Sequence, residues 1–278
     1  MDRFTHDMKS TPGRASDTSA DLRSTPHDPT AHAGDPDFMV SLARGIAVIR
    51  AFDEAHQRLT VAEASARSGI PRAAVRRCLY TLQRLGYVDA EGSQFFLKPS
   101  IVSLGHVYLS TTPLAAIAQP LLDRIGRETG EGCSIAVLEE TEVLYIANSS
   151  KTPLISVNIS VGHRLPAYCT ANGRVLLSAL PEAEFQRRLG MMKITPLTEK
   201  TVKTKKQLAE RVAQAGQDGF AIVDQEYVLS VRSIAVPVIR GGQVSASLSI
   251  SVLADHFSAE DLKARLLPAL QRAAAEFA

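Results

Sequence analysis

The segment 60–88 constrains the fold of this chain more than any other stretch of its sequence. Thr60 and Glu63 have the spacing of a capping box, which predicts that a short helix begins there. Gly69 ends this helix, and Pro71 suits the first turn of a longer one that runs to the next glycine. The segment therefore predicts two helices joined by a tight turn.

The flanks of this segment complete a recognisable unit. Residues 38–56 show apolar side chains at helical spacing, which predicts an amphipathic first helix. The apolar positions are Leu42, Ile46, Ile49 and Phe52. After the segment, extended runs at 87–90 and 94–97 surround Gly92 and predict a β-hairpin. Three helices followed by a two-stranded wing form the order of a winged helix-turn-helix.

Positive charge is concentrated in the same unit. Between Glu63 and Asp89 the sequence has no acidic residue, although the whole chain carries a net charge of only +2. Five arginines lie in this gap, namely Arg67, Arg72, Arg76, Arg77 and Arg84. A basic, solvated helix would explain such a pattern, but the order of the elements favours DNA binding, because carboxylates would repel the phosphate backbone.

The third helix is predicted to enter the major groove. Val75, Leu79 and Leu82 take its inward positions. The residues left outward, which we predict to bind DNA, are Arg72, Ala73, Arg76, Arg77 and Tyr80. An arginine fork pairs with guanine edges or with phosphate oxygens, and the sequence leaves this division of roles open. Arg77 could instead support the fold.

The rest of the chain indicates an α+β domain built on a mostly antiparallel sheet. Residues 99–130 read as mostly helical, with a break near Thr112. Beyond them, strand-like runs such as "CSIAVLEE", "EVLYIANS", "LISVNISV", "SIAVPVIR" and "SASLSISVL" alternate with helical runs. We expect a disordered, Ser-, Asp- and Pro-rich tail (1–37), a winged helix-turn-helix (38–98), a linker helix (99–112) and a C-terminal domain (113–278).

Several classes of protein are disfavoured. The three cysteines, Cys78, Cys133 and Cys169, have neither metal-ligand spacing nor a disulfide pattern, and no apolar run has the length of a membrane span. We therefore expect a cytoplasmic protein without metal or other cofactor. No phosphate-binding loop, nucleophile elbow or zinc-protease motif occurs, and Cys133 or Cys169 would lack an evident base, so an enzyme is disfavoured.

A small-molecule pocket is predicted in the C-terminal domain. Ser247, Ser249 and Ser251 alternate with apolar residues, which places their hydroxyls on one face of a strand. Thr170 can cap a helix, and the amides of Asn172 and Gly173 would then favour an anion. Arg164 could pair with a ligand carboxylate, and Tyr168 could contact an aromatic ring. The alternatives are an outward row of serines, a surface arginine and a core tyrosine.

Four ordered stretches between residues 39 and 278 resemble the IclR family of bacterial transcription regulators. They are "SLARGIAVIRAF", "TVAEASARSGIPRAAVRRCLYTLQRLGYV", "GHRLPAYCTANGRVLLSALP" and "GFAIVDQEYVLSVRSIAVPV". The likeness is greatest to the branch that controls β-ketoadipate and hydroxybenzoate catabolism. The resemblance implies a GAF-like effector domain at 113–278 and a homodimer or homotetramer on double-stranded operator DNA.

The resemblance also implies where the effector binds. The positions that match the family's pocket are Ala171, Asn172, Gly173, Asp224, Glu226, Ser233, Ser249 and Ser251. This chain has Val223-Asp224 where the family often has paired acids, and Ser233 where it often has cysteine.

We therefore expect a DNA-binding regulator that senses a small carboxylic acid, most simply an aromatic one. The alternatives are a regulator that binds DNA without a ligand, and an enzyme on the C-terminal domain.

Overall fold

The computed structural model describes residues 34–111, 113–149 and 159–277. The chain divides into two compact units between Ser100 and Ile101. Most of the predicted tail and the predicted strand around "LISVN" lie outside the described residues. None of the described helices is long and apolar enough to cross a membrane.

The first unit has the element order expected of a winged helix-turn-helix. Its elements are α1 (Val40–Ile49), β1 (Arg58–Leu59), α2 (Val61–Ser68), α3 (Arg72–Arg84), β2 (Val88–Glu91) and β3 (Gln94–Leu97). β3 lies between β1 and β2 and pairs with both in antiparallel fashion. The short β1 was not predicted, because two residues carry no periodic signal.

Local sequence signals define both ends of α2. The Glu63 carboxylate accepts a hydrogen bond from the Thr60 amide at 2.8 Å, and the Thr60 hydroxyl accepts from the Glu63 amide at 3.3 Å. Gly69 follows α2 with φ = 71°, a conformation that glycine adopts without strain. The capping box and the stop are thus confirmed.

The predicted apolar face of α1 is buried only toward its C-terminal end. Phe52 lies in the core with Val48 and Ala51, and Ile49 is half-buried against it. Leu42 and Ile46 are 59% and 45% exposed. The predicted helix is confirmed, but its first two apolar positions are not buried, because spacing defines a face without saying what covers it.

The second unit is built on an antiparallel sheet with helices on both faces. Its helices are α4 (Val102–Thr111), α5 (Pro113–Thr129), α6 (Ala171–Ser178), α7 (Glu182–Met191), α8 (Lys205–Asp218), α9 (Ala259–Asp261) and α10 (Leu267–Ala275), with a π-helical turn at Leu262–Leu266. Its strands are β4 (Gly132–Glu139), β5 (Glu142–Asn148), β6 (Arg164–Pro166), β7 (Ala221–Asp224), β8 (Val231–Arg240) and β9 (Gln243–Leu253). Within the described residues the strand order is β6-β5-β4-β9-β8-β7.

The two faces of this sheet carry separate cores. On one face Ile234 of β8 lies in a cluster with Leu122 of α5 and Leu270 of α10. The next residue, Ala235, points to the other face and lies in a cluster with Val175 of α6. This alternation follows from the two-residue period of a strand, and it confirms the predicted α+β class with an antiparallel sheet.

Candidate functional sites

The predicted DNA-binding face of α3 is exposed to solvent. The exposed residues include Arg72, Ala73, Arg76, Arg77 and Tyr80, whereas Val75, Leu79 and Leu82 are buried. Among the described residues, no acidic group forms an ion pair with Arg72, Arg76 or Arg77. Three guanidinium groups at the start of one helix are therefore available to an external anion.

Arg67 has a structural role that the charge pattern did not separate from the others. Its Nε donates a hydrogen bond to the Ala51 carbonyl at 2.7 Å, and its guanidinium pairs with Asp53. These contacts join α2 to the residues that follow α1. The arginine that supports the fold is thus Arg67, whereas Arg77, the sequence-based candidate for this role, is exposed.

A pocket in the second unit lies between the N-terminus of α6 and the sheet. It encloses about 800 Å³, part of which is open to solvent. Its hydroxyl groups belong to Ser134, Ser149, Thr170, Ser233, Ser249 and Ser251, together with Tyr145 and Tyr227. Its apolar wall is formed by Ile159, Leu165, Ala171, Val223 and Val231. Among the described residues that line it, none is charged.

Asn172 forms the polar centre of one wall. The Ser247 hydroxyl donates to its Oδ1, and its Nδ2 donates to the Ser249 hydroxyl at 2.9 Å and to the Tyr145 hydroxyl at 3.4 Å. The Ser134 and Ser249 hydroxyls are 3.0 Å apart. Asn172 is 2% exposed. Its buried amide therefore has partners on both sides, as a buried polar group requires.

Five of the ten predicted effector residues line this pocket. They are Ala171, Asn172, Ser233, Ser249 and Ser251. The hydroxyls of Ser233 and Ser251, on neighbouring strands, lie 3.4 Å apart. The serines of β9 that sequence alternation identified thus face the helix α6 rather than an open surface.

Arg164 and Asp224 are engaged in ion pairs instead. Arg164 pairs with Glu139 and, at 3.5 Å, with the buried Glu142. Asp224 accepts a hydrogen bond from Arg232 Nε at 2.8 Å. Neither lies among the residues that line the pocket, so the geometry does not support direct pairing of Arg164 with a ligand carboxylate.

Tyr168 and Gly173 also lie behind the pocket rather than in its lining. The Tyr168 hydroxyl donates to the Thr195 carbonyl at 2.9 Å, so this side chain belongs to the core. The Gly173 amide donates to the Thr170 hydroxyl at 3.1 Å and is not available to an anion. A Cβ at Gly173 would lie 2.1 Å from the Ala167 carbonyl oxygen, so the close packing of α6 requires glycine.

The remaining polar groups of the pocket were missed by sequence reasoning. Tyr145 and Asn148 come from β5, and Tyr227 comes from the turn before β8. Burial raises the pKa of Tyr145 to about 12, so its hydroxyl stays protonated at neutral pH. Simple alternation would place Tyr145 and Asn148, three residues apart, on opposite faces of β5, and a bulge in the register at this point brings both to the pocket.

The two cysteines of the pocket are not reactive thiolates. Burial raises the pKa of the Cys133 thiol to about 11 and also raises the pKa of Cys169. Because the thiolate is the nucleophile and the metal ligand, both side chains behave as small apolar groups here. Among the described residues, no cluster of acidic, His or Cys side chains could hold a metal ion.

A buried ion pair lies behind α6. Arg174 and Glu226 are 3% and 8% exposed, and one guanidinium nitrogen lies 2.7 Å from each Glu226 carboxylate oxygen. The same carboxylate accepts a hydrogen bond from the Val202 amide at 3.2 Å. Tyr227, the next residue, lines the pocket. The pair thus connects the pocket helix to the turn that carries one pocket wall.

The chain is similar to known regulators over most of its length. The model of the IclR helix-turn-helix domain matches residues 41–92, and the model of the C-terminal region of the bacterial transcriptional regulator IclR matches residues 106–278. The Pca regulon regulatory protein of Pseudomonas putida is 47% identical over 242 residues, which cover 86% of this chain and 83% of that protein.

Two further similar proteins have an aromatic acid in their names or in their solved structure. The p-hydroxybenzoate hydroxylase transcriptional activator of Acinetobacter baylyi is 32% identical over 249 residues, which cover 86% of this chain and 91% of that protein. A solved structure is that of a double mutant of the inducer binding domain of the PobR transcription factor from Acinetobacter, in complex with 3-hydroxybenzoic acid. It is 28% identical with a TM-score of 0.56, and the match covers 59% of this chain and 97% of that chain.

Proposed function

This chain belongs to the IclR family of bacterial transcriptional regulators, and from that premise we propose that its second unit binds a small aromatic carboxylic acid that controls its action on operator DNA. It is a helix-turn-helix DNA-binding regulator rather than an enzyme. The proposal places it in the cytoplasm, where operator DNA is found.

The observation that carries the effector proposal is the pocket beside α6. Its apolar wall and its hydroxyl groups suit a flat ring with polar substituents. Because the Thr170 hydroxyl occupies the Gly173 amide, the first-turn amides of Ala171 and Asn172 are the ones that would meet a carboxylate. The PobR inducer binding domain, which takes 3-hydroxybenzoic acid, supports the choice of an aromatic acid.

The DNA-binding part of the proposal assigns α3 to the major groove. Arg72, Ala73, Arg76, Arg77 and Tyr80 would face bases and phosphates, with residues 38–98 as the binding domain. Residues 99–112 would form the linker helix and residues 113–278 the effector-binding domain. An acid that binds two conformations of the second unit with different affinity would change their populations and so the action on the operator.

A thermal-shift experiment tests the effector proposal. Benzoate, 3-hydroxybenzoate and 4-hydroxybenzoate are compared with adipate and with benzyl alcohol, which lacks the carboxylate. An acid at 100 times its Kd adds about 2.7 kcal/mol to the stability of the native state. We expect at least one aromatic acid to raise the Tm of the second unit by roughly 5–10 °C.

Two leucine variants on β9 locate the site. Ser251→Leu places a larger apolar side chain in the pocket and should remove the shift, whereas Ser245→Leu, on the same strand but exposed, should retain it. If none of the aromatic acids changes the Tm, or if both variants respond alike, the proposed effector site is wrong.

We further propose that the protein is a homodimer or homotetramer on a palindromic or repeated operator. Exposed apolar side chains on α1 and α4 support this, because monomers seldom leave such stripes uncovered. They are Leu42 and Ile46 on α1, Met39 just before it, and Val102, Leu104, Val107 and Tyr108 on α4.

Introducing charge on the exposed face of α1 tests this assembly. The double variant Leu42→Glu, Ile46→Glu should shift the sedimentation coefficient at micromolar concentration toward that of a smaller species, because carboxylates resist burial in an interface. Gln57→Glu, in the same unit, serves as the control and should leave it unchanged. An unchanged coefficient for the double variant, with its helicity retained, would exclude this face from the interface.

A further inference from the structure

Asn148 lies at the end of β5, where it borders the pocket. In the strand register it is the partner of Ser134 on β4, another pocket residue. Its backbone carbonyl accepts a hydrogen bond from Gln119 Nε2 at 3.0 Å. The backbone of Asn148 is therefore held in place by the sheet and by α5.

The orientation of the Asn148 side-chain amide is set by one contact. Its Nδ2 donates a hydrogen bond to the Ile159 carbonyl oxygen. Turning the amide over would bring two oxygens, neither of which carries a hydrogen, into contact. The position of Oδ1 is therefore determined.

This Oδ1 is buried and has no hydrogen-bond partner among the described residues. A buried acceptor left without a donor is destabilising, and such groups are rare in native proteins. The second asparagine of the pocket offers a direct comparison, because Asn172 has partners for both its oxygen and its nitrogen. Asn148 alone of the two lacks a donor.

We propose that Asn148 is the residue that selects an effector carrying a hydrogen-bond donor, namely a ring hydroxyl on the aromatic acid. This assignment rests on the proposed effector function. The serine and tyrosine hydroxyls of the pocket can turn to donate or to accept, so they do not distinguish a hydroxyl from a bare ring edge or an ether. An amide oxygen only accepts, and therefore rejects an analogue that cannot donate.

Calorimetric titration of the full chain tests this selection. The ligands are 3-hydroxybenzoate and 4-hydroxybenzoate, with benzoate and the two methoxybenzoates as analogues that cannot donate. We expect one hydroxybenzoate to bind at least about tenfold more tightly than benzoate and its own methoxy analogue, because they leave Oδ1 unpaired.

Two substitutions remove the acceptor. Asn148→Leu removes the oxygen and should lower the ratio of the benzoate and hydroxybenzoate Kd values to about one. Asn148→Ala removes the same oxygen without adding bulk to the pocket, and should lower the ratio in the same way. Because each ratio is measured on a single variant, a general loss of affinity does not affect it, and the Ala variant decides if the Leu variant does not fold.

The possible results are distinguishable. A wild-type ratio near one, or a ratio that Asn148→Leu leaves high, would overturn the assignment of Asn148 while leaving the effector site in place. If wild type binds none of the five acids, the proposed aromatic effector is wrong, and the assignment of Asn148 is wrong with it.

Discussion

Replacing Arg72, Arg76 and Arg77 together by alanine is expected to weaken operator binding by about a thousandfold, roughly tenfold for each arginine. All three side chains are exposed at the start of α3, and no described acidic residue pairs with them. Each would therefore lose a contact with a base or a phosphate without a compensating gain. The affinity can be measured by fluorescence anisotropy on a duplex selected by the wild-type protein from a random pool.

The control removes the same charge elsewhere. Lys203, Lys206 and Arg211 are exposed in the second unit, and their joint replacement by alanine should change the affinity far less. Single variants of the three arginines then show which of them contacts a phosphate and which contacts a base. Loss of a phosphate contact lowers the salt dependence of log K by about 0.9 and acts on all sequences alike, whereas loss of a base contact relaxes specificity at one position. Equal affinities for wild type and the triple variant would remove α3 from the groove.

Breaking the buried ion pair behind the pocket should have the largest effect on stability. In Arg174→Met the Glu226 carboxylate stays buried without its counterion, which typically costs about 3–5 kcal/mol. In a unit of this size that corresponds to a fall in Tm of roughly 10 °C. Differential scanning calorimetry of the second unit's transition measures it.

The double variant Arg174→Met, Glu226→Gln is the decisive comparison. The glutamine is neutral and can still accept the hydrogen bond of the Val202 amide, so at least half of the lost Tm should return. Arg272→Met breaks an exposed ion pair with Glu128 and should cost less than about 1 kcal/mol. A single Arg174 variant as stable as this control would show that the pair contributes little.

The winged helix could be predicted from the sequence because its signals are local. The capping box at Thr60, the left-handed Gly69 and the hairpin around Gly92 each act within a few residues. The packing of α1 could not be predicted in the same way. Its helical period was correct, but two of its four predicted apolar positions, Leu42 and Ile46, are largely exposed among the described residues.

The pocket residues that could be predicted are those marked by a local signal, such as a helix cap or the alternation of a strand. Thr170 marked the start of α6, and the alternation of β9 aligned Ser249 and Ser251. Asn148 was missed because the pocket beside it forms only when β4 pairs with β9, where Ser134 meets Ser249 from 115 residues away along the chain. Arg164 was placed in the pocket because its pairing with Glu139, 25 residues away, had no local signal.

Gly173 has a mechanical consequence for signalling. Since α6 rests on the backbone of Ala167 at this point, no side chain separates the two segments. Elsewhere in a core a small displacement can be absorbed by a rotamer change, but a contact between two backbones offers no such slack. A ligand that pushes the start of α6 would therefore press directly on the segment beneath it, with no side chain between them to absorb the movement.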